Sequence, residues 1–338
     1  MLPRGKILLI ANPVSQSGEG ASAAQTVAAE LRALLGADAL DVVSTQHAGH
    51  ARDIARNVEE SYGTVVALGG DGVIHEVING LMAKPASKRP VLGIVPVGSG
   101  NDYAQSLGMP EDLSQAALRI VRGNRKFVDI GCVNGEYFME TLSFGLDAGI
   151  ALSTMDLRKK RPYSGFPLYL EAGFNQLFHH LEVFDYRVKA LGIQGKQRNR
   201  RLSAVVDIVQ GEKGEGAEPS RTDYRNVTLE DQAFLFAVNL GPTYGGGFRV
   251  APKASLHDGL FDICIAHPPL SVPFASMVFI MAKSGNHVGF KQIESFQAQG
   301  LEISFGRDLP IQVDGEPLPM ADMYKVDMIP SALEVVFG

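Results

Sequence analysis

The sequence predicts an α/β protein with a β-rich second part: an open parallel sheet with helices over residues 1–128, then a mainly antiparallel region over 129–332. Three observations predict it. Short apolar runs alternate with helical stripes up to Arg122, three of those runs end in glycine-rich turns, and strand-like segments dominate after residue 128. Whether the last strand, 333–337, packs back on the first domain is left open.

In chain order, Lys6–Ala11 (KILLIA) reads as a buried parallel strand ended by Asn12-Pro13. Ala21, Ala24, Val27, Ala28, Leu31 and Leu35 recur at helical spacing. Leu40–Ser44, Thr64–Leu68 and Val91–Val95 read as strands, Gly49–Tyr62 and Val73–Met82 as helices, with two short helices up to Arg122. Strands are then expected at Phe127–Val133, Tyr137–Ser143, Val183–Ala190, Leu202–Gln210, Ala233–Leu240, Leu260–Ala266, Leu301–Phe305, Ile311–Asp314 and Leu333–Phe337. Helices at Leu168–Leu181 and Val272–Lys283 interrupt them, and the polar stretch Gly211–Asn226 reads as a loop.

A net charge of −6 argues against a nucleic-acid partner held by bulk positive charge. Basic residues cluster locally, in Arg158-Lys159-Lys160-Arg161 and at Arg198, Arg200 and Arg201. They read either as solvated loops or as a patch for an anionic membrane surface. Cys132 and Cys264 lie far apart in apolar runs, as small core residues of a reducing compartment would. The N-terminal run is too short for a signal peptide, and no stretch has the ~18 apolar residues a spanning helix needs. A cytoplasmic protein is expected.

The glycine-rich turns carry the chemistry. In an open parallel sheet, ligands bind beyond the carboxyl ends of the strands, where all three turns fall. In Gly69-Gly70-Asp71-Gly72-Val73, unhindered N–H groups at a helix start form a phosphate cradle, and Asp71 suits a cation or a proton in transit. Read alone, the same turn is a tight strand-to-helix junction with Asp71 as its cap. Gly98-Ser99-Gly100-Asn101-Asp102 repeats the pattern, with Ser99 and Asn101 as polar contacts. Asn12, Pro13 and Ser15 belong to the first turn, and Thr45 ends the second strand. The lysine of a P-loop is absent.

GGDG with Glu76-Val77-Ile78-Asn79-Gly80, then PVGSGND, resembles the diacylglycerol-kinase-type lipid kinases. The similarity continues through Leu142–Ala148, Tyr244-Gly245-Gly246-Gly247 with Ala251-Pro252, Asp258-Gly259-Leu260, and Val313-Asp314-Gly315-Glu316-Pro317. The resemblance implies a nucleotide domain plus a β-sandwich-like domain, ATP between them, and a membrane-lipid hydroxyl as acceptor. It implies Glu316 as general base with Asp314 and Asp71, and nucleotide contacts at Asn12, Thr45, Gly69 through Val73, Glu76 and Ser99. It also implies a structural Mg²⁺ on Asp258 and the carbonyls of Ser255 and Leu260. With no spanning helix, such a kinase would visit the membrane from the water side.

Val73 departs from the hydroxyl residue usual after GGDG, and Glu19 would repel a triphosphate unless it faces solvent. His75 reads as a partly buried helix residue. Asp314-Gly315 is also a strong signal for a surface hairpin turn. The aromatics from Phe166 to Phe178 suit either a core or an acyl groove. An NAD-kinase-like enzyme and a non-catalytic lipid or nucleotide binder remain as alternatives. A homodimer is left open.

Overall fold

The computed structural model describes residues 5–161, 163, 165–193 and 225–338. Among these, the first part runs β1 (Lys6–Ala11), α1 (Ser15–Gly18), α2 (Gly20–Leu35), β2 (Leu40–Ser44), α3 (His50–Arg56), β3 (Tyr62–Gly69), α4 (Asp71–Met82), β4 (Val91–Pro96), α5 (Asp102–Ser106) and α6 (Leu113–Arg122). Then come β5 (Asn124–Val133), β6 (Glu136–Phe138), β7 (Thr141–Gly145), α7 (Leu146–Lys160), α8 (Phe166–His179), β8 (Phe184–Ile193), β9 (Arg225–Ala233), β10 (Leu235–Asn239) and β11 (Phe261–Ala266). The chain ends with α9 (Val272–Ala282), β12 (Ile293–Ala298), β13 (Gly300–Phe305), β14 (Ile311–Val313), β15 (Glu316–Pro317) and β16 (Tyr324–Phe337).

Two sheets organise these elements. The larger has the order β2-β1-β3-β4-β16-β13-β8-β9, with β5 on β16 and β6 on β5. It is parallel from β2 to β4 and antiparallel beyond β16, which touches β4 through Val335 beside Leu92. The smaller sheet, β12-β11-β10-β7-β14-β15, is antiparallel throughout. The parallel half is buried on both faces by α2, α4 and α6, so its strands are near-continuous apolar runs.

The antiparallel half packs face to face on the smaller sheet around Phe144, Phe236, Ile263, Ile265, Val188 and Leu301. The smaller sheet's other face is also covered, here by α8 and α9, and the strand period of two shows in the sequence. In β10 and β11, Phe236, Val238, Ile263 and Ile265 point into the sandwich, while Ala237, Cys264 and Ala266 point toward the helices. The helix side is lined by small residues, which leaves space there.

The elements depart from the sequence reading in specific ways. The helix expected over 49–62 stops at Arg56, where the Asn57 side chain turns back to the Asp53 carbonyl at 2.9 Å. The strand expected over 137–143 divides at Met139-Glu140, because the chain leaves one sheet and enters the other. Helix α7 was not foreseen; its inward face is Ala148, Gly149, Ile150, Ala151 and Thr154, too small to give an apolar stripe. Strands β9, β12 and the front of β16 were also missed, β16 carrying a register shift between Ile329 and Leu333. Cys132 is only half-buried while Cys264 is buried, and both are free. The strand expected at 202–210, the Arg198–Arg201 cluster and most of the 211–226 loop lie outside the described residues.

Candidate active site

The three glycine turns meet at the carboxyl ends of β1, β3 and β4. The Gly69 carbonyl accepts the Val97 N–H at 2.9 Å, and a Cβ added to Gly70 would stand 3.2 Å from the Gly98 Cα. A Cβ on Gly69 would sit 2.8 Å from the Val73 side chain and 3.1 Å from Ser15 Oγ. Glycine is therefore required because backbones and side chains of different loops touch there. Gly20 starts α2 directly against the Asn12 carbonyl, with no room for a side chain.

Facing these turns is the β14–β15 hairpin. Asp314 (φ 48°) and Gly315 (φ 88°) are both left-handed, the geometry of a two-residue type I′ turn. The turn signal was right, but the turn is not a surface one, because Asp314 is buried. Its carboxylate accepts the N–H groups of Met139 (3.0 Å), Glu140 (2.9 Å) and Thr141 (3.1 Å), plus His75 Nδ1 at 2.9 Å. The carboxylate of Glu316, two residues on, accepts no hydrogen bond among the described residues, and its Oε1 lies 3.2 Å from where a Gly72 Cβ would be. One acid is saturated and its neighbour is free.

His75 is fully buried, and its Nε2 meets Glu136 at 3.0 Å; Arg52 in turn donates to Glu136. Burial alone would lower the imidazole's pKa, but Asp314 and Glu136 raise it to about 9. A charged His75 thus bridges α4 to both acids. Asp71 opens α4 as its first residue, with Gly70 in the cap position. Burial and the Asp102 charge push its carboxyl up to about 6, and Oδ1 is buried without a donor. An unpaired carboxylate oxygen in this position fits a divalent cation brought with phosphates.

One cavity of about 350 Å³ collects Asn12, Ser15, Gly70, Asp71, Gly72, Val73, Gly98, Ser99, Asp314 and Glu316. Gly69 and Pro13 are off its wall. Thr45 is also off the wall, its N–H held by the Ala11 carbonyl at 2.8 Å. Glu76 faces away from the cavity, because its carboxylate accepts the N–H groups of Gly49 (2.8 Å) and Ala51 (3.0 Å) and so holds the start of α3. Asn101, at φ 56°, spends its amide on the Gly98 carbonyl at 3.0 Å and shapes the loop. Glu19 is exposed to solvent. Ser255, Asp258 and Leu260 lie off the cavity; Asp258 Oδ1 accepts the Leu260 N–H at 3.1 Å, and Asp129 accepts that of Gly259 at 2.7 Å.

Comparison with known proteins agrees with this geometry. Residues 6–133 match the diacylglycerol kinase catalytic domain, and residues 142–337 match the YegS C-terminal NAD kinase beta sandwich-like domain. The chain belongs to the diacylglycerol kinase and YegS-like lipid kinase family. It is 30% identical over 299 residues to "Probable lipid kinase YegS-like" of Chromohalobacter salexigens, covering 87% of this chain and 82% of that one. It is 29% identical to the diacylglycerol kinase of Bacillus subtilis, over 81% of this chain and 78% of that one. A crystal structure of a diacylglycerol kinase from Bacillus anthracis superposes with a TM-score of 0.67 at 20% identity, covering 98% and 97% of the two chains. The fold is that of this kinase family.

In this lipid kinase family member the cavity does not stop at the phosphate loops. It continues between α7, α8, α9 and the small-residue face of the second sheet, past Ile150, Ala151, Tyr169, Leu177, Cys264, Ala266, Val278 and Phe279. Of the aromatics at 166–178, Tyr169 lines this extension, Phe174 packs on Phe178 and Phe279, and Phe166 and Phe178 are exposed. Asp102 ties the two halves together by accepting the N–H groups of Gly246 (2.7 Å) and Gly247 (2.6 Å). Sequence reasoning missed two acids on the cavity wall, the buried Glu140 and the half-buried Asp147. A carboxylate inside an apolar strand-like run was the available signal for Glu140.

Proposed function

We propose that this kinase transfers the γ-phosphoryl group of ATP to a hydroxyl of a membrane lipid, with diacylglycerol the leading acceptor. The observation that carries the reading is the continuity of one cavity from the glycine loops to a wall of aliphatic and aromatic side chains. A soluble ribose acceptor needs no such apolar extension; acyl chains do.

The backbone N–H groups of Gly70 to Gly72 and of Gly98 to Gly100 would hold the phosphates, with the exposed Ser99 hydroxyl as a further donor. The Val73 side chain packs on Gly69, so the cradle there is backbone alone. Glu316, free of other partners and set against Gly72, would accept the proton of the attacking hydroxyl. Asp314 positions it: four donors fix the hairpin that carries Glu316. Mg²⁺, when bound with the nucleotide, neutralises phosphate charge, and Asp71 Oδ1 would hold it. A structural Mg²⁺ at Ser255, Asp258 and Leu260 rests on the family resemblance alone. In this reading residues 1–128 bring the nucleotide and 129–332 the lipid.

Peripheral contact with an anionic membrane surface completes the reading. No helix among the described residues is long and apolar enough to cross a membrane. Helix α9 is apolar on all sides, yet Met277 and Ile280 are exposed. Phe178 of α8 is 62% exposed, Met155 of α7 is exposed, and Arg158, Lys159 and Lys160 close α7.

The test is transfer of label from ATP with Mg²⁺ to mixed micelles carrying diacylglycerol, sphingosine, phosphatidylglycerol or no lipid, with NAD in a parallel tube. Lipid-dependent label is expected. Label on NAD alone, or nucleotide binding without transfer to any acceptor, overturns the proposal.

A further inference from the structure

Six acids line the cavity; Glu316 is only half-buried, Asp147 has the side chains of Ser143, Tyr244 and Gln312 beside it, and three of the other four have donors. Asp314 has four hydrogen-bond donors. Asp102 has two N–H groups, with Lys283 and Arg158 near enough to lower its pKa against the rise caused by burial. Asp71 has the N–H groups of Asn101 to Tyr103 on one side. Glu140 has nothing. It is 3% exposed, its Oε1 is buried without a donor, and burial with the charges of Asp71, Asp102 and Asp314 raises it well above an ordinary carboxyl.

Its place is fixed from both sides by backbone bonds. The Glu140 N–H donates to Asp314 Oδ1 at 2.9 Å, and its carbonyl accepts the Leu240 N–H at 2.8 Å. The side chain therefore reaches the cavity from a rigid crossing between the two sheets, on the wall that also carries Asp71. A buried carboxyl without a donor costs free energy unless a proton or a cation answers it. Asp71 Oδ1 and Glu140 Oε1, which with Asp147 Oδ2 are the buried donor-free carboxylate oxygens among the described residues of this wall, suit a hard divalent cation, which takes one or two carboxylates and completes its shell with phosphates and water.

We propose that Glu140 is a ligand of the divalent cation that enters with the nucleotide, sharing it with Asp71. No three acidic, histidine or cysteine side chains among the described residues form a self-sufficient cage, so the cation should bind tightly only with nucleotide present. The inference rests on the kinase reading above and adds a residue to it. Glu140 also sets the cation requirement, because removing its charge removes a ligand without touching the phosphate cradle.

The test is titration of Mn²⁺, followed by electron paramagnetic resonance, with and without a non-hydrolysable ATP analogue. Nucleotide affinity is measured separately in the absence of divalent cation. Glu140→Gln is expected to weaken Mn²⁺ binding in the presence of the analogue about tenfold or more, while cation-free nucleotide affinity stays equal or improves. Glu140→Asp, which keeps the charge and retracts it by one methylene, should fall between, and it serves if the glutamine variant does not fold. Mn²⁺ affinity unchanged in a folded variant overturns the inference and leaves the kinase reading standing. Failure of the wild-type protein to bind the analogue overturns both.

Discussion

The two ends of the cavity are built by different means. The phosphate end is made of backbone: glycine turns at strand ends, pressed so close that Gly70 and Gly98 exclude each other's side chains. The apolar end is made of side chains, and its space comes from what is small: Ala237, Cys264 and Ala266 on the sheet, Ala151 on α7, Ala275 and Ala282 on α9. Loop geometry sets where phosphates can lie, whereas residue size sets how much chain fits. The two ends should therefore fail separately when changed.

The largest effect belongs to the junction. Glu316→Gln is expected to lower turnover by about 10³-fold through loss of the proton acceptor, with ATP affinity nearly intact. Labelled-phosphate transfer and nucleotide titration measure the two quantities. Turnover close to wild type would remove Glu316 from the chemistry.

Next is the saturated neighbour. Asp314→Ala leaves three buried N–H groups and a charged His75 unanswered, which should cost about 3–5 kcal/mol of stability by denaturant unfolding. His75 gives the same contact a pH signature. Its folded pKa, about 9, exceeds the unfolded value, so its contribution is complete below about pH 6.5 and is lost as pH rises through about 9. The loss should approach ~3 kcal/mol in wild type and shrink greatly in His75→Gln. A flat stability profile from pH 6 to 10 in wild type would contradict a charged His75.

At the apolar end, Ala275→Phe places a ring in the cavity wall of α9. Displacing two or three methylenes of bound chain costs about 2 kcal/mol, a twenty- to thirtyfold loss in kcat/KM for long-chain diacylglycerol. A short-chain acceptor and ATP should be affected little. Equal losses for long and short chains would mean that the apolar end does not hold the acyl chains.

Legibility in the sequence follows the same division. The parallel strands and three glycine turns were readable because strand-to-helix glycine turns and apolar runs have few other causes. The Asp314-Gly315 turn was readable for its type but not its burial, since the carboxylate's partners come from residues 75 and 139–141, far away in sequence. The hold of Glu76 on the start of α3 was not readable, because nothing local shows that Gly49 and Ala51 need its oxygens. Helix α7 was invisible because the face it buries is small, and that same smallness makes the cavity. A void leaves no periodic signal.

The smallest expected effect lies outside the cavity, on the face that would meet the membrane. Lys159 at the end of α7 pairs with Asp156 at 3.5 Å, but both side chains are more than 70% exposed, so the pair contributes little and the ammonium is available to an anionic head group. A cation near such a surface adds about 1 kcal/mol, so Lys159→Gln should weaken binding to vesicles rich in anionic lipid about fivefold. Binding to neutral vesicles should not change, and the difference should vanish at ~1 M salt, where the screening length falls to about 3 Å. The aliphatic face of α9 acts by burial and is not screened, so Ile280→Asp should weaken binding to both kinds of vesicle at any salt. If Lys159→Gln were as harmful on neutral vesicles as on anionic ones, the residue would be acting through the fold of α7 rather than through charge, and the basic end of that helix would lose its role at the membrane.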